Sequence, residues 1–289
     1  MEVKPKIIYL IGAGRSGTTL LDIMIGNAEG IESCGELNRY PRRKGVPPKY
    51  AKNTKQAFFW SDVYTKLGIN PKDLNQVEKV NDQFEYHKSF IKRLFTKQNK
   101  RDLESYQKFQ INLFYSIFEV LPNHKKTIVD SSKYPGRAVI LSKFLPYEIA
   151  YIYIRRDPVS VVQSFSKKDV EQPSKGWLAA NIYYAVVNTL CFIAINMLKR
   201  KHKVVTVTYE DMVNQPVKML SEIEKMLDVD LKSAINKIKS NTPLSVGMLF
   251  DGNRIRLKDE IVVQPSKSIK LRSIKDFIVR YIQFFLYKP

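Results

Sequence analysis

Cysteine and histidine are scarce in this sequence, with two cysteines and three histidines among 289 residues. Cys34 and Cys191 lie far apart and form no CxxC pair, so the sequence contains no disulfide framework. His87, His124 and His202 are scattered along the chain, and no metal-ligand spacing is visible. We therefore expect no metal site, and the low cysteine content is consistent with a reducing compartment.

Uninterrupted apolar runs are also lacking. The apolar stretch at residues 7–25 is interrupted by Arg15, Asp22 and several glycines. It predicts neither a signal-peptide core nor a membrane span, which needs about 20 apolar residues. No later stretch is expected to be long enough to cross a bilayer. The sequence thus favours a cytoplasmic protein, with peripheral membrane contact left open.

Acidic residues are few relative to basic ones. The sequence has 48 Lys and Arg against 28 Asp and Glu, a formal net charge of +20. Such a surface attracts anionic partners, including nucleic acid, anionic lipid, acidic polysaccharide or a phosphorylated nucleotide. Charge alone does not choose among them, and many of the lysines fall in amphipathic stretches that are typical of a solvated helix face.

The apolar runs that are present predict an α/β fold. Short runs typical of buried strands alternate with helical patterns, at residues 7–11, 127–130, 149–154 and 204–207. This alternation indicates a single domain with a P-loop-like central parallel sheet flanked by helices. Residues 41–123 are polar, Lys-rich and helical in pattern, and we expect them to form a helical insertion after the second strand.

The end of the sequence predicts one more helix, at residues 269–289. Its apolar side chains recur at helical spacing, at Ile274, Phe277, Ile278, Tyr281, Ile282 and Phe285. Such a face either packs on the domain or lies on an anionic membrane surface. We expect packing, and peripheral membrane contact is the alternative.

A glycine-rich loop joins the first strand to the first helix. Gly12-Ala13-Gly14-Arg15-Ser16-Gly17-Thr18-Thr19 has the glycine spacing of a P-loop, but Thr18 stands where that motif has lysine. Backbone N–H groups in such a loop, together with a helix N-terminus, favour an anion. The missing lysine and the lack of a clear acidic Mg²⁺ motif argue against a P-loop kinase.

Three further segments follow the loop along the chain. They are Ile-Arg-Arg-Asp-Pro at residues 154–158 with Ser164, Thr-Tyr-Glu-Asp-Met at 208–212, and Gly-Asn-Arg-Ile-Arg at 252–256. With the loop, they resemble, in order, four motifs of the sulfotransferase superfamily, whose donor is 3′-phosphoadenylyl sulfate (PAPS). The last element resembles that of bacterial and carbohydrate-type members.

The resemblance implies a donor site. Its loop residues would bind the 5′-phosphosulfate, and Arg156 with Ser164 would bind the 3′-phosphate. Tyr209 would lie near the adenine. The full donor-binding set implied is Gly14, Arg15, Ser16, Gly17, Thr18, Thr19, Arg156, Ser164, Tyr209, Asn253, Arg254 and Arg256.

The resemblance also implies catalytic residues. Lys133 follows a predicted strand and matches a family lysine that, with Arg15, would stabilise charge on the leaving group. Cytosolic small-molecule members place a histidine two residues after that lysine, but this sequence has Pro135 there. Cys34-Gly35-Glu36 resembles a segment of tyrosylprotein sulfotransferases, and we therefore assign Glu36 as the general base.

The acceptor is left open by the sequence. The first hypothesis is that the acceptor is a hydroxyl of a glycan, a lipid-linked sugar or a small alcohol. An acidic acceptor would be favoured by the basic residues at the start of the insertion, Arg39, Arg42, Arg43 and Lys44. A tyrosylprotein-type peptide sulfotransferase is the alternative, followed by a P-loop kinase or a non-enzymatic nucleic-acid-binding protein. Nucleic-acid binding would explain the charge but not the motifs, so we expect no nucleic-acid partner.

Overall fold

The core of the protein is a five-stranded parallel sheet. A computed structural model describes residues 4–48, 54–166, 174–265 and 273–283. The sheet order is β2-β3-β1-β4-β5, and every neighbouring pair is parallel. The strands are β1 Lys6–Gly12, β2 Ile31–Gly35, β3 Thr127–Lys133, β4 Glu148–Arg155 and β5 Val204–Thr208.

Helices cover both faces of the sheet, as predicted. Along β1 the side chains alternate between two apolar cores, with Ile7 and Tyr9 in one and Ile8 and Leu10 in the other. Successive side chains of the strand point to opposite faces of the sheet, and both faces are buried. The sequence of β1 is therefore apolar at every position in this run. The helices are α1 Thr18–Gly26, α2 Thr54–Leu67, α3 Asp73–Glu85, α4 His87–Phe95, α5 Lys100–Val120, α6 Pro135–Leu141, α7 Pro158–Ser166, α8 Trp177–Leu198, α9 Tyr209–Asn214, α10 Pro216–Leu227, α11 Lys232–Lys239 and α12 Ile274–Ile282.

The predicted α/β class is confirmed, including the helical insertion after the second strand. That insertion comprises α2 to α5 and packs beside the sheet through large side chains. Trp60 on α2 contacts the ring of Phe250 and donates from Nε1 to the Met248 carbonyl at 2.8 Å. A two-stranded antiparallel pair, Leu244–Ser245 with Glu260–Ile261, flanks the segment that contains Met248 and Phe250.

The expectation that no later stretch reaches bilayer length is wrong for α8. This helix has 22 residues and is long and apolar enough to cross a membrane by length and composition alone. Half of its apolar window is nevertheless buried inside the fold. Tyr184, Asn188 and Cys191 on its inner face are buried, as is typical of a core helix.

The last described helix, α12, packs on the domain through an unexpected face. The buried positions are Asp276, Val279 and Gln283, whereas Phe277 and Tyr281 on the apolar face are exposed. Gln283 donates to the Asn181 carbonyl at 2.9 Å and so ties α12 to α8. The rest of the helix predicted over 269–289, including Phe285, lies outside the described residues.

Candidate active site

The ends of all five parallel strands meet at one edge of the sheet. Glu36 follows β2, Lys133 ends β3, and the glycine-rich loop follows β1. Arg156 follows β4 and Tyr209 follows β5. The carboxyl edge of an open α/β sheet is where ligands bind. The strand order places the predicted base at one end of this edge, and Arg156 lies on the other side of the central strand β1, after β4.

The glycine-rich loop turns sharply into α1. Gly17 has φ 97° and precedes the first helical residue, Thr18. A Cβ on Gly17 would lie 2.5 Å from the Tyr209 ring, so both the backbone conformation and the close approach require glycine. The loop is thereby held against the start of α9.

Polar groups around the loop fit an anion. The hydroxyl of Ser16 and Nε of Arg156 are buried and have no hydrogen-bond partner within the described chain. Buried polar atoms are almost always paired in a complete structure. The Gly14 N–H donates to the Tyr183 hydroxyl at 3.2 Å, so a ligand that needs this donor has to displace Tyr183. The unpaired groups, the loop backbone and the α1 N-terminus form a cradle suited to phosphate-like oxygens.

Arg156 is held in place without an acidic partner. Its NH1 donates to the Arg15 carbonyl at 3.0 Å, and its guanidinium lies 3.9 Å above the centre of the Tyr209 ring. The next residue, Asp157, accepts from the Ser160 N–H at 2.9 Å and immediately precedes α7. This helix carries Ser164 into the same cleft. Within the described ranges no carboxylate forms an ion pair with Arg156.

Glu36 and Lys133 form an ion pair inside the cleft. Lys133 Nζ lies 2.5 Å from Glu36 Oε1, and Arg39 Nε lies 3.5 Å from Oε2. The Glu36 N–H donates to the Asp251 carbonyl at 3.1 Å. Lys133 has φ 63°, an uncommon conformation for a residue with a side chain. Each carboxylate oxygen of Glu36 thus faces one cation.

The electrostatics of this group favour ionisation. Burial raises the pKa of Glu36, but the adjacent Lys133 ammonium and Arg39 guanidinium more than offset it, and the pKa lies below its ordinary value. The side chain of Glu36 is therefore a carboxylate at neutral pH.

Most of the sequence-predicted site residues line one cleft. These are Gly14, Arg15, Gly17, Thr18, Thr19, Glu36, Lys133, Arg156, Ser164, Tyr209 and Asn253. Ser16, within the loop, is fully buried and is not among the lining residues. Arg254 is exposed and is not among the lining residues.

Arg256 occupies a structural position instead of facing the cleft. It is buried, and it donates to the carbonyls of Gly252 and Pro48 at 3.2 Å each. The turn that it holds places Asn253 N–H 3.2 Å from the Thr19 hydroxyl. Arg256 therefore shapes the cleft wall through the backbone.

Sequence reasoning missed part of the cleft and its surroundings. Leu20 and Ile255 also line it, and Tyr183 reaches the loop from α8. The ring of His87, from the insertion, lies 4.9 Å from that of Tyr134 and 6.4 Å from that of Tyr183. Burial lowers the pKa of His87 to about 4, so this aromatic wall is uncharged at neutral pH. No motif marks these residues, because they meet only in the tertiary structure.

The basic residues at the start of the insertion are mostly paired. Arg42 lies 2.8 Å from Glu78 and 3.3 Å from Asp82, and Arg43 lies 3.1 Å from Asp251. Lys44 lies 3.6 Å from Glu78, and Arg39 faces Glu36. Their charges are largely neutralised within the protein, so their attraction for an acidic acceptor is small.

Comparison with known proteins places this cleft in a family context. A family model described as "Sulfotransferase family" matches residues 5–233. No curated protein matches the sequence. The sulfotransferase domain from the Synechococcus PCC 7002 olefin synthase is 19% identical with a TM-score of 0.52, covering 100% of this chain and 97% of that one. The sulfotransferase domain from the curacin biosynthetic pathway is 18% identical with a TM-score of 0.53, covering 97% and 98%. At these identities the two structures show a shared fold.

Proposed function

The chain belongs to the sulfotransferase family, and from that premise we propose that it transfers a sulfuryl group from PAPS to an acceptor hydroxyl. The observation that carries the proposal is the arrangement at the sheet edge. A carboxylate and an ammonium, those of Glu36 and Lys133, line the same cleft as a phosphate-type loop. The proposed donor-binding and acid–base groups therefore face one common cleft.

The donor would lie along the carboxyl edge of the sheet. The loop at Gly14–Thr19 and the α1 N-terminus suit the 5′-phosphosulfate. Arg156 and Ser164, further along the edge, suit the 3′-phosphate, because a guanidinium fork binds phosphate oxygens in pairs. Tyr209, stacked under Arg156, offers an aromatic face near the adenine.

The transfer step assigns one role to each charged group. The acceptor oxygen attacks sulfur in line, a new S–O bond forms, and the S–O bond to the donor phosphate breaks. Glu36 takes the acceptor proton. Lys133 and Arg15 stabilise the negative charge that develops on the departing phosphate oxygen.

The low pKa of Glu36 is compatible with this role. A base must be ionised before the reaction, and the Lys133 and Arg39 cations keep it so. The acceptor hydroxyl becomes strongly acidic as its oxygen bonds to sulfur, so a weak base suffices late in the step. Lys133 contacts Glu36 before transfer, and a shift towards the leaving oxygen would release the carboxylate for the proton.

The acceptor is proposed to be a glycan, lipid-linked sugar or small alcohol. We assign to its binding the uncharged wall of His87, Tyr134 and Tyr183, which reaches the loop through the contact of Tyr183 with the Gly14 N–H. Such aromatic surfaces stack on sugar rings and apolar chains as well as on peptides. A screen with labelled donor, including sugars, alcohols and a tyrosine peptide, separates these acceptors.

Replacement of Glu36 tests the proposed mechanism. Glu36→Gln keeps the size of the side chain and removes its basicity, so turnover should fall by roughly 10²–10⁴-fold. The dissociation constant of adenosine 3′,5′-bisphosphate should stay close to that of the wild type, as measured by calorimetry. Near-normal turnover in Glu36→Gln, with an acceptor that has to lose a proton, would place the base elsewhere.

Lys133→Ala is the matched comparison for that experiment. It should also lower turnover, but on the leaving-group side, so a donor with a more acidic leaving group should partly restore its rate. The same donor should not restore Glu36→Gln. Titrations with ATP–Mg²⁺ and with RNA test the two alternative functions. Tighter binding of ATP–Mg²⁺ than of adenosine 3′,5′-bisphosphate would favour a kinase, and tighter binding of RNA would favour a nucleic-acid-binding protein.

A further inference from the structure

Helices α8 and α12 leave apolar side chains uncovered at the place where they meet. Gln283 of α12 bonds to Asn181 of α8, and the Lys275 ammonium lies 5.7 Å from the centre of the Trp177 ring. The exposed neighbours of these contacts form what we call the α8–α12 surface. It comprises Leu178, Ile182, Ile274, Phe277, Tyr281 and Ile282.

Burial in the fold does not explain this surface. Tyr281 is 84% exposed and Ile274 80% exposed, whereas Val279 on the opposite side of α12 is 1% exposed. A helix that served only to pack on the domain would need only the inner face of α12. Large exposed apolar side chains grouped on two helices that contact each other mark an interaction site.

The charges around the surface are almost all basic. Lys275 and Arg280 are exposed on α12. The one acidic residue of that helix, Asp276, is buried and accepts a hydrogen bond from Gln163 at 3.2 Å. Over residues 266–289 the sequence holds six basic residues and this single acidic one, and Phe-Phe-Leu-Tyr follows Gln283.

The exposed apolar side chains and the basic residues around them together indicate what binds to the α8–α12 surface. Aromatic and aliphatic side chains bordered by lysine and arginine are typical of helices that lie at the boundary between lipid headgroups and acyl chains. A second copy of the chain would oppose basic residues to basic residues, and protein interfaces are depleted of lysine. We propose that the α8–α12 surface docks on an anionic lipid bilayer, a role that does not depend on the proposed reaction.

Docking would place the cleft close to the membrane. α12 packs against α7 through the contact of Asp276 with Gln163, and α7 carries Ser164, which lines the cleft. A lipid-linked acceptor would then be presented within the bilayer plane beside the enzyme.

The test is sedimentation of the whole protein with vesicles of phosphatidylcholine alone and of phosphatidylcholine with phosphatidylglycerol. We expect binding to the anionic vesicles that weakens at high salt. The double variant Phe277→Ser/Tyr281→Ser should lower the partition coefficient at least tenfold, because two large apolar side chains no longer enter the lipid. Lys275→Gln/Arg280→Gln should lower it roughly fivefold per charge.

A matched control separates this surface from general stickiness. Phe95, on α4, is 83% exposed, almost the same as Tyr281, and Phe95→Ser should bind vesicles like the wild type. The melting temperature of every variant should be unchanged, because the replaced side chains are exposed. No binding to anionic vesicles, or an equal loss in Phe95→Ser, would overturn the proposal. A dimer that Phe277→Ser/Tyr281→Ser abolishes, without vesicle binding, would assign the surface to a second copy of the chain.

Discussion

Two arginines near the carboxyl edge of the sheet, Arg137 and Arg156, have opposite surroundings. Arg137 is completely buried on α6, and it contacts Glu85 at 2.5 Å, Gln110 at 2.9 Å and Asp130 at 3.2 Å. Arg156 is half-buried in the cleft, is held by a backbone carbonyl and an aromatic ring, and keeps an unpaired Nε. Among the residues that the structure describes, two carboxylates balance the first arginine and none balances the second.

The difference indicates which charges belong to the fold and which await a ligand. A buried cation with hydrogen-bonded carboxylates is a closed network that fixes the packing of its neighbours. Glu85 lies on the insertion and Asp130 on β3, so Arg137 joins the insertion to the sheet. An arginine whose donors are partly unsatisfied at a cleft is suited to an anion that the protein does not itself supply.

Loss of Arg137 should give the largest effect on stability. Arg137→Met would leave Glu85 and Asp130 buried without their cation, which lowers the free energy of unfolding by about 3–5 kcal/mol. Urea denaturation measures the change. Arg156→Met is the control and should change stability by less than about 1 kcal/mol. Equal losses in the two variants would remove the distinction drawn between them.

The pH dependence of Arg137→Met sharpens the same comparison. Burial raises the pKa of Glu85 even in the wild type, and loss of the cation raises it further. The folded variant then binds a proton more readily than the unfolded chain, so its stability rises as the pH falls. The free-energy deficit of the variant relative to wild type should therefore narrow as the pH falls from neutral towards the ordinary pKa of a glutamate. A constant deficit would show that the carboxylates are not the cause.

Arg156 should instead affect ligand choice. In the wild type, adenosine 3′,5′-bisphosphate should bind more tightly than 5′-AMP if Arg156 contacts the additional phosphate as proposed. Arg156→Met should lower the affinity for the bisphosphate by roughly 10- to 150-fold, which is the range for loss of a charge-assisted hydrogen bond. The affinity for 5′-AMP, measured by the same calorimetric titration, should change little. If the affinities for the two nucleotides fall equally, Arg156 does not bind the 3′-phosphate.

The fold was accessible from the sequence where local pattern and tertiary environment agree. The four apolar runs became β1, β3, β4 and β5, because strands buried on both faces need apolar side chains throughout. β2 was not marked by such a run, since it carries Glu32 and Ser33. Glu32 lies 2.7 Å from Lys125, and the Ser33 hydroxyl donates to the Asp22 carbonyl at 2.9 Å. Those partners are distant in sequence, so the pattern could not reveal them.

The candidate site shows the same limit. Residues at the ends of strands could be grouped from the sequence because parallel strands share a carboxyl edge. Arg256 could not be placed, since its partners include the backbone carbonyls of Gly252 and Pro48, which no sequence pattern marks. The orientation of α12 was also not evident, because Asp276, Val279 and Gln283 supply a packed face that is only partly apolar. Contacts between distant segments decided each of these positions.

The smallest expected effect concerns the ring that supports Arg156. Tyr209 holds the guanidinium at 3.9 Å and also lies against Gly17 of the loop. Tyr209→Leu should weaken the binding free energy of adenosine 3′,5′-bisphosphate by about 0.5–2 kcal/mol. An aliphatic side chain provides no cation–π attraction, and Arg156 loses its fixed orientation. Tyr209→Phe keeps the ring and should bind nearly as the wild type does. Unlike Arg156→Met, the leucine variant should still prefer the bisphosphate over 5′-AMP, because the charge remains. If Tyr209→Phe weakens binding as much as Tyr209→Leu does, the hydroxyl and not the ring supports the site. Arg156 would then differ from Arg137 in its lack of a carboxylate partner among the described residues, but not in being supported by a ring.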